Sequence, residues 1–376
     1  MRKLSNILVA TFISVLLTAN VSAQENKQQY EFTDEVRLET TSVKDQGRSG
    51  TCWCFAAVSF LETELIRMGK PGYDLSEMYL VHEAYKKKAR EYVRYHGNNN
   101  FGQGGQAHDA MLELKQHGIV PEEAYSGIIY GDDMHRHYEM ASVLKGFTDK
   151  LLDNPTKKIS PVWEDAYAGI LEAYLGKTPE KFEYEGKTYT PQTFADDLGI
   201  DTENYVELTS FTHHSYYEDF ILEIPDNWSH DPYYNLPLDE LVTVMDHSLE
   251  NGYSVVWDGD VSSDGFSHSN GVAVAPEDEE DNFKKEPVEE KEITAEYRQK
   301  QFNNFTTTDD HLMHLTGIGT DQEGTQYYLT KNSWASDSNE YGGFLYMSEP
   351  FIKLNTIAIM VHKDAIPEEI KEKLDL

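Results

Sequence analysis

A thiol, a side-chain amide and several small residues lie together in Asp45-Gln46-Gly47-Arg48-Ser49-Gly50-Thr51-Cys52-Trp53-Cys54-Phe55. Val58, Leu61, Leu65 and Met68 follow at helical spacing, so a buried amphipathic helix is expected to begin at Cys52. Thr51 stands where an N-cap residue would, which places Cys52 in the first turn. There the unpaired backbone N–H groups and the positive end of the helix dipole favour thiolate over thiol. Six residues upstream, the Gln46 amide offers a donor to a developing oxyanion. The chemistry this suggests is nucleophilic attack on a carbonyl. Such a thiolate needs a base, and the base an orienting group. With fourteen histidines in the chain, the thiol does not choose one by itself.

Gln46-Gly47-x-x-Gly50-x-Cys52-Trp53-x-Phe55 resembles the nucleophile segment of papain-type cysteine peptidases, and the resemblance selects the partners. In Asp310-His311-Leu312-Met313-His314-Leu315-Thr316-Gly317-Ile318-Gly319 an apolar strand running into Gly-x-Gly follows His311, as it follows the catalytic histidine of that family. His314, three residues on, is expected on the opposite face of the strand as a packed or surface histidine. Tyr327-Tyr328-Leu329-Thr330-Lys331-Asn332-Ser333-Trp334 is similar to the family's Asn-Ser-Trp segment. It implies that Asn332 accepts the imidazole N–H and that Trp334 shelters that bond. Gly102-Gln103-Gly104-Gly105-Gln106 resembles the substrate ledge, where Gly104 and Gly105 would offer bare backbone to an extended peptide. The mechanism implied is a Cys52–His311 thiolate–imidazolium pair forming an acyl-enzyme. Gln46 and the Cys52 backbone N–H would hold the oxyanion, with no metal and no organic cofactor.

Cys52 and His311 are 259 residues apart, against the roughly 130–150 of papain itself. Gly118-Ile119-Val120-Pro121, Leu175-Gly176-Lys177-Thr178-Pro179 and Thr190-Pro191-Gln192-Thr193-Phe194 resemble bleomycin hydrolase and aminopeptidase C, whose insertions fill such a gap. The chain is identified as a papain-superfamily cysteine peptidase of that type. The implied fold is α+β and papain-like, with a helical left lobe near 40–130, a helical insertion near 131–235 and an antiparallel β right lobe near 236–370. A short tail, 371–376, would end the peptidase domain of 24–376. Relatives lay their C-terminal tail along the cleft, where its carboxylate meets the substrate amine and makes them aminopeptidases. Six residues span about 20 Å at most, so an acidic residue from elsewhere is the alternative holder of the amine. Relatives also often form hexameric rings, which implies a possible homo-oligomer.

The elements that must position these residues are legible in outline. Ser76 precedes a helix running into Lys86–Arg90, and a helix is expected from about Ala107 to His117 with Gly118 at its C-cap. The pattern from Tyr138 to about Leu198 reads as helical, with Trp163, Tyr167, Ile170, Leu171, Tyr174 and Leu175 as a core stripe. Another helix opens at 236–241, a strand at 252–261 follows, and residues 24–40 read as an extended lead-in. Residues 276–300 hold ten acidic and five basic residues and are expected to be solvated and mobile.

Arg2 and Lys3, the apolar run 7–19 and Val21-Ser22-Ala23 form a signal peptide with an expected cut after Ala23, so a periplasmic or secreted protein is expected. The apolar run is too short to span a bilayer, and no membrane insertion is expected. A net charge of −34 repels nucleic acid and anionic lipid, leaving peptides as the expected partners. Cys52 and Cys54, the chain's two cysteines, point apart on a helix and should not bridge. Cys52-Trp53-Cys54 is also a residue short of the Cys-x-x-Cys of a thiol oxidoreductase. His135-x-His137 and His213-His214 lack the spacing of a structural zinc site. A catalytically silent scaffold on the same fold would lose one of Gln46, Cys52, His311 or Asn332, and all four are present. A papain-like endopeptidase with an open cleft is the alternative to an aminopeptidase.

Overall fold

The computed structural model describes residues 29–131, 133–278 and 280–376, so the leader expected at 1–23 lies outside the described residues. Helix α1 (Cys52–Arg67) is buried from Cys52 to Val58 and again from Phe60 to Leu65. It is wrapped on both sides rather than lying on a surface. Its buried Glu62 is satisfied by Lys44 Nζ at 3.0 Å, the Leu75 amide at 2.9 Å and the Thr41 hydroxyl. Lys44 also pairs with Glu77 at 2.8 Å, which ties the segment leading to Gln46 onto the helical lobe.

On one side of α1 lie α2 (Glu77–Arg94) and α3 (Ala107–His117), then α4 (Tyr138–Leu152), α5 (Trp163–Leu175) and α6 (Pro191–Leu198). Ser76 caps α2 through the Tyr79 amide, and Gly118 ends α3, as expected. The stripe on α5 buries Tyr167, Leu171 and Leu175 against α2 and α4. One departure from the helical reading of 138–198 is the hairpin β2 (Phe182–Tyr184) and β3 (Lys187–Tyr189), whose Phe182 and Tyr189 pack on Phe194. Those aromatics favour a pleated pair over a helix.

On the other side of α1 stands an eleven-stranded, largely antiparallel sheet. Its members are β1 (Thr33–Arg37), β4 (Tyr205–Thr209), β5 (Asp219–Ile221), β6 (Pro232–Asn235), β7 (Val255–Gly259), β8 (Phe266–Ser267), β9 (Val272–Ala273), β10 (His311–Thr320), β11 (Gln326–Lys331), β12 (Phe344–Ser348) and β13 (Thr356–His362). Their order is β5-β6-β4-β13-β7-β10-β11-β12-β9-β8, and β10 pairs with β7 along His311–Leu315 and with β1 along Gly317–Thr320. The lead-in thus joins the sheet. Residues 205–235, expected within the helical insertion, instead supply β4, β5 and β6. Alternation along the central strands gives two faces. Val256, Leu312 and Met360 pack toward α1, whereas Val255, Trp257, Met313, Leu315, Ile359 and Val361 pack the other way. The second face is covered by α7 (Leu238–Glu250), α9 (Glu349–Asn355) and α10 (Glu368–Leu374). Most described residues of 276–300 are exposed or half-buried, as expected, but helix α8 (Ala295–Asn303) buries Arg298, which donates to the Ser210 carbonyl at 2.8 Å. The α+β two-lobe expectation holds.

Candidate active site

Cys52 is the first residue of α1, at the seam between the helical lobe and the sheet. Thr51 occupies the N-cap position, but its side chain makes no cap. The Ser49 hydroxyl donates to the Gln46 carbonyl at 2.8 Å and lies 2.6 Å from Thr51 Oγ1, which draws the threonine hydroxyl away from the helix. The Cys54 N–H donates to the Thr51 carbonyl at 3.0 Å, and the Cys52 and Trp53 amides are left for another acceptor. Gln46 is fixed at both ends of its amide: Oε1 accepts from the Ser333 hydroxyl at 2.6 Å, and Nε2 donates to the Ser49 carbonyl at 2.8 Å. The second amide hydrogen remains for an oxyanion. Gly47 has φ +62, and a Cβ there would meet the His135 carbonyl at 2.9 Å, so the turn requires glycine.

His311 opens β10, and its Nε2 lies 2.8 Å from Asn332 Oδ1 just beyond β11. The network settles which nitrogen carries the proton. Asn332 Nδ2 donates to His268 Nδ1 at 3.1 Å, so Asn332 Oδ1 is the acceptor and His311 Nε2 the donor. His268 Nε2 in turn donates to Ser338 Oγ at 2.7 Å, and Ser338 donates to the Ala335 carbonyl at 2.6 Å. Every member of this chain donates once in the same direction. It leaves His311 Nδ1 as the basic nitrogen. The Trp334 ring packs on the His311 ring, their centroids 4.8 Å apart and planes 30° from parallel. His314 packs separately, its Nδ1 2.9 Å from Ser59 Oγ on α1.

The profile of the Peptidase C1-like family matches residues 80–376. The chain belongs to that family. Aminopeptidase G and aminopeptidase C of Lactobacillus delbrueckii subsp. lactis are 23% and 22% identical to it, over 90% and 93% of this chain and 84% and 86% of theirs. The crystal structure of PepW from Lactobacillus rhamnosis HN001 shares the fold, with a TM-score of 0.72 at 19% identity over 91% of this chain and 84% of that one. This is a cysteine peptidase of the aminopeptidase C type.

In this peptidase the Cys52 thiol lies beside the Leu312 backbone N–H, and among the described residues no hydrogen bond joins it to the imidazole. Burial pushes the thiol up to about 12, the Leu312 N–H opposes, and Asp309, Asp226 and Asp258 add to the rise. Burial also draws His311 down to about 4, against the pull of Asn332. Burial thus disfavours charging either group on its own. Each shift describes charging one group alone. Moving the proton from sulfur to Nδ1 makes two adjacent opposite charges and leaves the net charge unchanged, a far smaller penalty.

Gly104 and Gly105 do not stand open. A Cβ on Gly104 would fall on the Asp226 carboxylate, and one on Gly105 would lie 2.8 Å from Asp109 Oδ2 and 3.2 Å from the Trp53 ring. Buried Lys88 donates to the Gly102 carbonyl at 3.2 Å and to that of Gly104, fixing the ledge from beneath. Sequence reasoning missed His268 and Asp226, because neither belongs to a local motif. His213, His214 and Glu223 do converge, with contacts of 3.1 and 2.9 Å from the two imidazoles to the carboxylate, far along the chain from Cys52.

Proposed function

We propose that this peptidase is an exported aminopeptidase that removes residues from the free N-terminus of peptides through an acyl-enzyme on Cys52. The observation that carries the reading is the Asp226 carboxylate resting on Gly104, where an extended substrate would otherwise continue. The names of the relatives aligned over most of the chain point the same way. In the proposed cycle His311 Nδ1 takes the Cys52 proton as substrate docks. Sulfur then bonds to the scissile carbonyl carbon, and the oxyanion is held by the free Gln46 hydrogen and the Cys52 N–H. The imidazolium protonates the leaving nitrogen as the C–N bond breaks. Water, deprotonated by the same nitrogen, cleaves the thioester and restores the thiol.

The test compares a leucyl fluorogenic amide with its N-acetyl form. The free amine is expected to raise kcat/KM at least about tenfold, because a charged hydrogen bond is worth about 1.5–3 kcal/mol. Equal turnover would mark an endopeptidase instead. Export rests on Arg2, Lys3, the run 7–19 and Val21-Ser22-Ala23, and predicts a mature N-terminus at or within a few residues of Gln24. N-terminal sequencing that finds Met1 intact would refute it.

A further inference from the structure

The peptidase chemistry leaves three acids near Cys52 without a task, Asp258 buried and Asp226 and Asp309 half-buried. Asp226 sits on Gly104 and accepts from Asn100 Nδ2 at 2.7 Å. Asp309, two residues before His311, accepts from Gln106 Nε2 at 2.9 Å. Asp258, on the adjoining β7, is 3% exposed, and its carboxyl faces that of Asp309, the pair held together by a shared proton with no other donor to Asp258. Gln106 Oε1, fully buried on the amide that touches Asp309, also lacks a donor. Lys88, whose charge acts on Asp226, spends its ammonium on the Gly102 and Gly104 carbonyls. The site is thus built of acceptors and short of donors. Such carboxyls either hold a proton, as the upward shifts of Asp226, Asp258 and Asp309 indicate, or take a cation rich in N–H.

Its position says which cation. Asp309 precedes His311 by two residues, Asp258 stands opposite Leu312 in the β7–β10 register, and Asp226 lies on Gly104, whose neighbour Gly105 packs against Trp53. In a peptide the α-ammonium is one Cα removed from the reacting carbonyl carbon, about 2.5 Å away. A group that holds it must therefore border the nucleophile, as this one does. The set that converges tightly enough to chelate a metal among the described residues is His213, His214 and Glu223, not these acids. The loop carrying Asp226 runs between β5 and β6 and crosses from the sheet to the helical lobe. Trp228 O accepts from Asn99 at 2.9 Å, and His108 Nε2 lies 2.9 Å from Ser229 Oγ. Helix α10 is elsewhere: its Ile370 and Leu374 pack on the face of the sheet opposite α1.

We propose that Asp226 and Asp309 hold the free α-ammonium of the substrate's first residue, and that the 222–231 loop ends the binding groove at Gly104, so that one residue is released at a time. This deepens, and rests on, the aminopeptidase reading. The experiment measures kcat/KM for leucyl amide, N-acetyl-leucyl amide and an N-acetylated dipeptidyl amide with the wild type, Asp226→Asn, Asp309→Asn and Asp226→Ala. Each Asn variant is expected to lose at least about tenfold on the free-amine substrate, mainly in KM, while turnover of N-acetyl-leucyl amide shifts little. Asp226→Ala is expected to gain activity on the acetylated dipeptidyl substrate, because the ledge is opened. Variants that keep the wild-type preference for a free amine would overturn the proposal and leave the aminopeptidase reading standing. A wild type with no such preference would remove both. A measurement on the wild type covers variants that fail to fold. A water-soluble carbodiimide with leucinamide should couple the amide to Asp226 or Asp309 ahead of exposed carboxylates, mapped by peptide mass. Coupling without that preference overturns the proposal.

Discussion

Asn332 decides which nitrogen of His311 is the base, and His268 decides which way Asn332 faces. Without the acceptor at His268 Nδ1, 3.1 Å from Asn332 Nδ2, the amide is free to turn and the tautomer of His311 is no longer fixed. His268→Ala is therefore expected to lower kcat by about two- to tenfold with little change in KM, the cost of a hydrogen bond worth about 0.5–1.5 kcal/mol. His268→Gln, which keeps an acceptor, should recover part of the loss in steady-state assays. A fall in KM and kcat together would mean that His268 merely supports the fold. The residues legible from sequence were those carried by contiguous motifs: Gln46 with Cys52, His311 before its Gly-x-Gly, Asn332 before Trp334. Those that were not legible depend on pairings far apart in the chain, 64 residues for His268 with Asn332 and 287 for Ser333 with Gln46. Thr51 was misread because a hydroxyl two residues away competes for its side chain.

Among the elements, α3 and β4 are joined by one buried pair. His108 Nδ1 lies 2.5 Å from Glu207 Oε2. Burial works against a charged ring there, but Glu207, with Asp109 and Asp231, outweighs it and raises His108 to about 9. A folded pKa above the unfolded value of about 6.5 means that this stabilisation is complete below pH 6.5 and is lost as pH rises through about 9. The amount is on the order of 3 kcal/mol. Urea midpoints are expected to fall between pH 6.5 and 9, and His108→Gln should flatten that fall. A wild-type midpoint constant across this range would contradict the pair's role. Helix starts and ends were legible where a cap marks them, as at Ser76 and Gly118. The β2–β3 hairpin and the buried face of α8 were not, since packing on Phe194 and on Ser210 sets them.

At the scale of the molecule, the sheet separates two compartments: α1 and the catalytic seam on one face, α7, α9 and α10 on the other. Lys373 at the chain's last helix pairs with Glu240 of α7 at 2.9 Å, and Leu374 is buried behind it. Removing residues 371–376 is expected to cost about 2–5 kcal/mol of stability in denaturant titrations, the range for emptying a buried leucine site. The ratio of free-amine to acetylated turnover should stay at the wild-type value. Loss of that ratio would return the role of amine holder to the tail. The two-lobe α+β plan was readable because the papain-type motifs fall in order along it. The swing of 205–235 into the sheet was not, because short strands at a sheet's end carry little pattern of their own.

The most direct test of the central claim is covalent labelling by leucine chloromethyl ketone, mapped by peptide mass. The expected result is a single adduct on Cys52 and none on Cys54, whose Sγ donates to the Glu77 carbonyl at 3.3 Å deep in the helical lobe. That adduct should form at least about tenfold more slowly in His311→Ala. An adduct on Cys54, or equal labelling of Cys52 with and without His311, would contradict the account.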